Sequence, residues 1–473
     1  MPSQTESKNT LAERTRLILA VCAAKATAEA VRLAGRGGGT SVPGLVARRI
    51  DSGVLRKIVA SSAARMVMVT GSNGKTTTCR MIAALAEGSG RSVVQNRTGS
   101  NLIQGVTAAA VKGADLLGRL RADTVILEID EATVRNVAPD VTPDVAVVTN
   151  IFRDQLDRFG ELHAVAEALR VAIHSLPDGA TAVLNGDDPM VADLGSGAGC
   201  RRLYFGVTAE QVGAEVPEHA ADTVRCPRCQ HDLEYSRAYL SHLGAYRCPN
   251  CGFARPPLDV AVTSLRLGDG LMDLSLATPD GPLEVQLRLI GIHNAYNAAA
   301  AVAAGCALGL DPNRFGAALA GLRPAFGRLE QIKAGDRTAV LAFVKNPISY
   351  NTTLRSIAQA PGRKRFLAVH SNTDVDGEDF SWLWDVDLEE LAPAVDMVVT
   401  SGTKAEEVAM RYKYAGVPEE RISTIADVES ALDAALAAAE PGGTVHILAG
   451  YTPMREIRQI MQRRKWVSAF WEE

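Results

Sequence analysis

The segment TGSNGKTTT (70–78) has the composition and spacing of a phosphate-binding loop. It follows the apolar run MVMV (66–69) and opens a helical pattern, so backbone N–H groups and a helix N-terminus would surround an anion there. Lys75 would neutralise phosphate oxygens of ATP during phosphoryl transfer, and the Thr76 hydroxyl would bind Mg²⁺. The residues of this loop expected to contact the nucleotide are Gly71, Asn73, Gly74, Lys75, Thr76 and Thr77.

A carboxylate lies at the end of the next apolar strand pattern, TVILEID (124–130). At the carboxyl end of a parallel strand beside a phosphate loop, such a group is placed to bind the Mg²⁺ of MgATP. We expect Glu128 to do so, although spacing alone leaves Asp130 and Glu131 open. Polar residues also follow the strand pattern VAVVTN (145–150), and they are Asn150, Asp154 and Asp157.

Two Cys-x-x-Cys pairs with eighteen residues between them predict a metal ribbon. Four thiolates at this spacing suit a tetrahedral, structural Zn²⁺ and leave no open position for catalysis. The alternatives are two disulfides, or a site in which His231 or His242 replaces one thiolate. The predicted zinc ligands are Cys226, Cys229, Cys248 and Cys251.

These residues require a layered α/β fold to position them. Apolar strand patterns alternate with helical ones through the first 200 residues, which favours a mostly parallel, doubly wound sheet. The stretch 201–260 changes character and predicts an inserted subdomain, and 259–290 alternates like an antiparallel meander. A second alternating pattern begins near residue 335 and predicts a smaller C-terminal α/β domain.

Composition restricts the class of protein. The chain has 473 residues, 47% of them apolar, and a net charge of −4, so we expect a multidomain globular protein without a general nucleic-acid-binding field. Eight cysteines with no disulfide-like spacing favour a reducing, cytoplasmic location. The apolar run LILAVCAA (17–24) is too short to span a bilayer and predicts an amphipathic helix packed on the body, with a membrane contact left open.

Six ordered motifs in 66–330 resemble the Mur ligase family, whose members activate a carboxylate with ATP as an acyl phosphate and couple it to an amine. The motifs are TGSNGKTTT, the Glu128 strand, TNIFRDQLDRFG (149–160), LNGDDP (184–189), GIHNAYNAAAA (291–301) and GLRPAFGRLE (321–330). The resemblance implies that Asn294, Asn297 and Arg328 hold the nucleotide. It also implies that Asp187 and Asp188 line the same cleft.

Two features depart from the family pattern. Gln155 replaces the histidine usual in the family's D-H-L-D stretch, and no lysine occurs between residues 113 and 332. The carbamoylated lysine that bridges magnesium ions in many relatives therefore has no counterpart. The nearest helical position carries Arg170.

The C-terminal third is similar to one branch of this family, the MurT family, which supplies the synthetase subunit of lipid II isoglutaminyl synthase. The matching motifs are GGGTSVPG (37–44), the Cys₄ ribbon, KNPISYN (345–351), HSNTDVDGEDFSWLWDVD (370–387) and LAGYTPM (448–454). The resemblance implies a Mur ligase-like central ATPase domain with an inserted zinc ribbon. The predicted boundaries are an N-terminal helical segment 1–60, a central domain 61–330 with the ribbon at 222–256, and a C-terminal domain 335–473.

By the same resemblance, the substrate is the α-carboxylate of D-glutamate in the stem peptide of lipid II, reached at the inner face of the membrane. The implied amine is ammonia from a GatD-like glutaminase partner, and the product is D-isoglutamine for peptidoglycan synthesis. An aspartate of the DxxDxSWxWD stretch would complete the partner's catalytic triad. Asp376, Asp379 and Asp385 lie in this stretch, and Asp379, near the bulky Trp382 and Trp384, is our first choice over Asp376.

Two other functions remain open from the sequence. One is an amino-acid-adding Mur ligase or a folylpolyglutamate-synthase-like enzyme, against which the missing lysine and the DxxDxSWxWD segment argue. The other is a nucleotide-binding regulatory protein whose ribbon binds nucleic acid. Its basic and aromatic residues are Arg228, Arg237, Arg247, Arg255, Tyr235, Tyr239 and Tyr246.

Overall fold

The structure, a computed structural model, contains two large β-sheets, each covered by helices on both faces. The structure describes residues 11–33, 41–96, 100–131, 133–153, 162–215, 221–268, 271–323, 327–358, 362–373 and 376–467. The predicted fold class, a doubly wound, mostly parallel α/β fold with a second α/β sheet, is confirmed.

The first sheet has nine strands in the order β11-β10-β9-β6-β5-β4-β1-β3-β2, and a separate two-stranded hairpin is formed by β7 and β8. The strands in chain order are β1 Arg65–Thr70, β2 Val93–Gln95, β3 Thr124–Glu128, β4 Val145–Val148, β5 Thr181–Asn185, β6 Arg201–Val207, β7 Glu234–Leu240, β8 Leu243–Arg247, β9 Val260–Gly268, β10 Leu271–Thr278 and β11 Gly281–Leu287. Strands β1 to β6 pair in parallel, whereas β9 to β11 form an antiparallel meander at one edge. Central strands such as β4 are buried at every residue because helices cover both faces.

Helices complete this first layered unit. They are α1 Leu11–Leu33, α2 Val42–Ile50, α3 Val54–Ala60, α4 Lys75–Gly88, α5 Ile103–Gly113, α6 Val134–Val137, α7 Leu162–His174, α8 Pro189–Leu194, α9 Ile292–Ala307 and α10 Phe315–Ala320. Short 3₁₀ helices lie at Ala138–Asp140 and Pro312–Arg314. Alanine-rich α9 is buried for most of its length and packs closely on α4, which supports the phosphate loop.

The second sheet has six strands in the order β12-β13-β17-β14-β15-β16 and is parallel except for the β12–β13 pair. Its strands are β12 Arg328–Ala334, β13 Arg337–Phe343, β14 Lys364–Val369, β15 Val395–Ser401, β16 Ile422–Thr424 and β17 Thr444–Ala449. Its helices are α11 Pro347–Ala358, α12 Ala405–Tyr414, α13 Val428–Ala437 and α14 Tyr451–Arg463. Further 3₁₀ helices lie at Ser381–Asp385, Leu388–Glu390, Ala392–Ala394 and Glu419–Arg421.

The N-terminal helical segment predicted over 1–60 contains α2 and α3 after α1, and a turn at Asp51–Gly53 separates these two short helices. The stretch after residue 201 begins and ends in the main sheet, because β6 and β9 pair in parallel and the meander extends that sheet; the inserted part is the ribbon hairpin between β6 and β9. Among the described strands, β7 and β8 alone stand outside the two large sheets.

The N-terminal helix α1 packs on this body as predicted, through Leu17, Ala20, Val21 and Ala24. None of the helices in the described ranges is both long and apolar enough to cross a membrane.

Candidate active site

The phosphate loop connects β1 to α4 and depends on two glycines. Gly71 and Gly74 have φ angles of +125° and +85°, conformations that side chains rarely adopt. A Cβ atom on Gly71 would lie 2.3 Å from Thr149 Oγ1, and one on Gly74 would lie 2.2 Å from Asn297 Oδ1. Glycine is therefore required at both positions for the loop to lie close to its neighbours.

Asn150 holds the centre of the loop from the end of β4. Its Oδ1 accepts a hydrogen bond from the Asn73 backbone N–H at 2.8 Å, and its Nδ2 donates to the Asn73 carbonyl at 3.1 Å. The Thr149 hydroxyl donates to the same carbonyl at 2.8 Å. Thr149 and Asn150, which follow β4, thus fix the backbone of the loop at Asn73.

Lys75, the first residue of α4, lies in a buried charged cluster. Its Nζ is 2.7 Å from Glu131 Oε2, and both side chains are more than nine-tenths buried. Burial of Glu131 opposes its ionisation, but the ammonium groups of Lys75 and Lys345 outweigh that effect and lower the pKa of its carboxyl. Of the acidic residues after β3, Glu131 therefore contacts the loop lysine.

Glu128, at the end of β3, contacts the next residue of the loop. Its Oε2 accepts a hydrogen bond from the Thr76 hydroxyl at 2.9 Å. Asn96 fixes the backbone of Glu128 through two hydrogen bonds of 2.8 Å, one to its N–H and one to its carbonyl. A hydroxyl and a carboxylate oxygen side by side at a phosphate loop form a donor set that fits Mg²⁺.

A cavity of about 1130 Å³ opens above the loop, between the two sheets. The loop contributes Asn73, Gly74 and Thr77, and α9 contributes Asn294 and Asn297. The Asn297 Nδ2 donates to Asn294 Oδ1 at 3.2 Å, so the two amides orient each other. The second sheet closes the other side with residues of β12, β13 and α11. Its volume and mixed polar and apolar lining suit a nucleotide.

Several residues expected at the site lie elsewhere or outside the described part of the chain. Asp154, Gln155 and Asp157 are outside the described residues, as is the side chain of Arg328, which begins β12. Arg170 donates through Nη2 to Asp193 Oδ2 at 2.7 Å and does not line the cavity.

The expectation that Asp187 and Asp188 line the cleft was wrong. Both side chains are fully buried beneath it. Asp188 caps α8 by accepting from Met190 N–H and Val191 N–H, and it also accepts from Ile151 N–H at 2.8 Å. Burial raises the pKa of Asp187 to about 6 against the opposing charge of Arg255, whose Nη1 lies 3.0 Å away. Asp187 and Asp188 follow the central strand β5 and are buried there, so their carboxylates stabilise the fold through hydrogen bonds and an ion pair.

The four ribbon cysteines converge at the open end of the β7–β8 hairpin. Their Sγ atoms all lie within 4.8 Å of one another, with Cys226–Cys251 and Cys229–Cys248 each separated by 3.5 Å. A tetrahedral Zn²⁺ with Zn–S bonds of about 2.3 Å needs sulfurs about 3.8 Å apart, so the cluster fits this ion. The eight cysteines, all in described segments, are free thiols, which contradicts the disulfide alternative.

The histidines and arginines of the ribbon are not metal ligands, and two of the arginines pair with acids outside the ribbon. His231 is exposed and His242 is fully buried at the hairpin turn, and neither belongs to the group of metal-ligand atoms. Arg228 pairs with Asp193 at 2.7 Å and Arg255 with Asp187 at 3.0 Å. Two of the four arginines in the predicted basic and aromatic cluster, Arg228 and Arg255, thus attach the ribbon to α8 and to the loop after β5.

The DxxDxSWxWD stretch forms a loop and a 3₁₀ helix after β14. Asp376 is the more firmly held carboxylate, because it accepts hydrogen bonds from Ser371 Oγ, Thr373 Oγ1 and Thr452 N–H at 2.7–3.0 Å. Asp379 is exposed and accepts from Ser381 N–H at 2.9 Å, and hydrogen bonds from the side chain and then the backbone of Ser381 lower the pKa of its carboxyl. A triad carboxylate must be both firmly held and accessible to the partner. Asp376 better meets the first requirement and Asp379 the second.

Sequence reasoning missed the residues that the second sheet and the ribbon bring to the loop. Asn346 Nδ2 donates to Asn73 Oδ1 at 3.4 Å, and the positive charge of Lys345 helps to lower the pKa of Glu131. Leu240 and Leu243 of the ribbon line the cavity. A signal existed for the first pair, since KNP directly follows a strand pattern, whereas the leucines resembled ordinary core residues.

Known proteins resemble this chain in both sequence and fold. Residues 69–305 match the Mur ligase middle domain, and residues 343–454 match the MurT ligase C-terminal family. The lipid II isoglutaminyl synthase (glutamine-hydrolyzing) subunit MurT of Streptococcus pneumoniae is 32% identical over 91% of this chain and 94% of that protein. The subunit of the same name from Staphylococcus aureus (strain N315) is 32% identical over 84% and 88%.

Solved structures share the fold at lower identity. A pseudomurein peptide ligase type C from Methanothermus fervidus gives a TM-score of 0.66 at 23% identity, over 85% of this chain and 79% of that one. MurF from Acinetobacter baumannii gives 0.63 at 20% identity, over 88% and 80%.

Proposed function

The chain belongs to the MurT family of Mur ligase-type, ATP-dependent ligases, and from this premise we propose that it amidates the D-glutamate α-carboxylate of lipid II with ammonia supplied by a glutaminase partner. The carrying observation is the cavity between the two sheets, which the phosphate loop lines together with α9 and residues of the second sheet, while Asn346 of the second unit donates to Asn73 of the loop. A ligase needs a cleft of this kind because an acyl phosphate must be kept from water.

The reaction has two balanced steps. The substrate carboxylate attacks the γ-phosphorus of ATP, which forms the acyl phosphate and releases ADP. Ammonia then attacks the acyl carbon, the C–O bond to phosphate breaks, and the amide and hydrogen phosphate result, because the proton lost by the attacking nitrogen ends on the released phosphate. The chain's own residues act mainly by positioning and by stabilising charge.

Lys75 is the proposed charge-stabilising residue of the first step. Its Nζ, now paired with Glu131, also donates to the Ser72 carbonyl at 3.3 Å, and so lies at the loop whose backbone N–H groups would hold the β-phosphate. Thr76 and Glu128 would hold Mg²⁺, which supplies Lewis-acid neutralisation of the phosphate oxygens when bound. Asn294 and Asn297 would orient the nucleotide from α9, and Asn150 keeps the loop in shape. The Cys₄ cluster would hold a structural Zn²⁺.

The partner surface is proposed on the second sheet, beside the DxxDxSWxWD stretch. Trp384, Met410 and Tyr414 are each more than half exposed, and the rings of Trp384 and Tyr414 lie 5.7 Å apart. Exposed aromatic residues of this kind are typical centres of protein interfaces. Asp379, five residues before Trp384, is accessible to a partner and remains our choice for the triad carboxylate, with Asp376 as the support of the loop.

A salt bridge connects this surface to the ATP site. Arg153 Nη2 lies 3.1 Å from Asp385 Oδ2, and Arg153 directly follows Phe152, which lines the cavity. This ion pair would hold the proposed glutaminase surface in a fixed position relative to the amidation site, as transfer of ammonia between subunits requires.

The test measures amidation of lipid II by mass spectrometry, together with ADP release, at saturating ammonium or with glutamine and the partner glutaminase. Wild type should amidate with either nitrogen source, and absence of amidation with ammonium would refute the proposed function. Asp379→Asn should lose glutamine-dependent amidation by at least about 100-fold and keep ammonium-dependent amidation. If Asp376→Asn shows that selective loss instead, the triad carboxylate is Asp376.

A further inference from the structure

The closed end of the ribbon hairpin reaches the nucleotide cavity. Strands β7 and β8 are joined by Ser241 and His242, and the residues on either side of this turn, Leu240 and Leu243, line the cavity. Both leucines are more than nine-tenths buried and belong to the hydrophobic core that includes α4 and α9. The cysteines lie at the open end of the same hairpin, so the metal cluster and the cavity wall are opposite ends of one element.

The turn also contacts the phosphate loop through one intervening residue. The ring of buried His242 packs on Phe152, with centroids 4.7 Å apart. The Phe152 N–H donates to Ser72 Oγ at 2.9 Å, and Ser72 Oγ donates back to the Phe152 carbonyl at 3.0 Å. Because Ser72 is part of the phosphate loop, a displaced turn would disturb the loop as well as the cavity wall.

The ribbon is also attached, through Asp187, to the helix that carries the nucleotide amides. The Gly244 N–H donates to the Asp187 carbonyl at 2.9 Å, and the Arg255 guanidinium pairs with the Asp187 carboxylate. The same carboxylate accepts from the Tyr296 hydroxyl at 2.7 Å. Tyr296 directly precedes Asn297 on α9, so the ribbon is tied to two separate parts of the site.

We propose that the ribbon turn is the apolar wall against which the base of bound ATP packs, and that the metal cluster holds this wall in place. This inference rests on the nucleotide site of the proposed function. Charged phosphates require the N–H groups and Lys75 of the loop, whereas an adenine ring gains from contact with aliphatic side chains such as Leu240 and Leu243. The ribbon is thus a nucleotide-positioning element whose contribution depends on metal loading.

The first experiment separates contact with the base from contact with phosphate. Binding of AMP-PNP and of inorganic tripolyphosphate, which lacks a base, is measured by calorimetry on the full chain, with zinc content and thermal unfolding measured in parallel. Leu240→Ala and Leu243→Ala should each weaken AMP-PNP binding by about tenfold and leave tripolyphosphate binding and zinc content unchanged. Leu240→Met should retain most of the affinity.

The matched control is Val224→Ala, because Val224 is an exposed apolar residue two positions before the first ribbon cysteine and does not line the cavity. It should change neither binding constant. Wild-type AMP-PNP affinity in folded, zinc-loaded Leu240→Ala and Leu243→Ala would overturn the proposal, as would equal weakening of AMP-PNP and tripolyphosphate. If wild type itself binds no AMP-PNP, the nucleotide site of the proposed function fails instead.

The second experiment tests the metal dependence. Zinc is removed by a chelator, and a separate Cys248→Ser variant is prepared. In both samples we expect AMP-PNP affinity to fall at least tenfold while circular dichroism retains the signal of the two large sheets. Zinc-free, folded protein with wild-type AMP-PNP affinity would show that the metal does not support the wall, and readdition of Zn²⁺ to the chelated wild type should restore binding.

Discussion

Replacement of Gly74 by alanine tests the geometry of the phosphate loop, because α4 offers a matched control at its other end. Gly74 and Gly90 flank this helix with φ angles of +85° and +80°. A Cβ on Gly90 would meet nothing within 4 Å, whereas a Cβ on Gly74 would lie 2.2 Å from Asn297 Oδ1. The two variants therefore share the backbone strain and differ in the contact with Asn297.

The magnitudes follow from these two observations. A left-handed alanine costs about 1 kcal/mol after allowance for the entropy it removes from the unfolded chain, so Gly90→Ala should lower Tm by about 2–4 °C. In Gly74→Ala, the Asn297 side chain must also retreat by about 1.2 Å to restore an ordinary contact, and this movement strains or breaks its hydrogen bond to Asn294. A misplacement of about 1 Å commonly costs orders of magnitude in function, so AMP-PNP affinity should fall by at least about tenfold in Gly74→Ala alone.

Calorimetric titration with AMP-PNP and thermal unfolding of both variants provide the assay. Equal nucleotide affinity in Gly74→Ala and Gly90→Ala would refute the argument that close approach of the loop to Asn297 is needed for binding. Loss of affinity in both variants would show that backbone strain at either end of α4, rather than the contact with Asn297, controls the loop.

Three other perturbations have outcomes that follow from the structure. Cys226→Ser should lose most bound zinc and lower Tm, while Cys22→Ser, outside the cluster, should keep full zinc content; elemental analysis decides, and a zinc-loaded Cys226→Ser would contradict the Cys₄ assignment. Glu128→Gln should raise the Mg²⁺ concentration needed for half-maximal amidation by about 10- to 100-fold, measured at saturating ATP, and an unchanged requirement would remove Glu128 from the metal site. The pKa of Asp187 is raised to about 6 by burial, so its neutral form stabilises the fold below about pH 4 and that contribution is lost as pH rises through 6. The stability of wild type relative to Asp187→Asn should therefore fall by roughly 3 kcal/mol between pH 4 and pH 7, and a pH-independent difference would show that Arg255 already compensates the charge.

Sequence patterns predicted the elements whose causes are local. A strand followed by Gly-Ser-Asn-Gly-Lys has few ways to fold, because positive φ angles at Gly71 and Gly74 turn the chain directly into α4. Cysteine spacing predicted the metal ribbon in the same way, since two short knuckles at the ends of a hairpin bring four thiols together. The strands near Glu128 and Asn150 were also recognisable, and the parallel order placed both residues beside the loop.

Errors and omissions concern contacts between segments distant in the chain. Nothing in LNGDDP distinguishes an acid in a cleft from one below it, and burial of Asp187 and Asp188 became evident from the packing of the ribbon against β5 and β6. The pairing of β6 with β9 likewise placed the meander in the main sheet, because hydrogen bonds between strands do not depend on their order in the sequence.

Local sequence features therefore predicted a phosphate loop, a metal ribbon and a layered α/β fold, and the resemblance of six ordered motifs implied the Mur ligase-like arrangement. Packing of distant segments determined which groups meet: the charge of Lys345 acts on Glu131, and Leu240 lines the same cavity as Asn294 and Asn297. The physical reason is the range of the interactions. Backbone conformation and metal-ligand spacing depend on residues that are close in the sequence. A cavity wall, in contrast, is formed by segments that are distant in the sequence and that pack together when their apolar surfaces are buried.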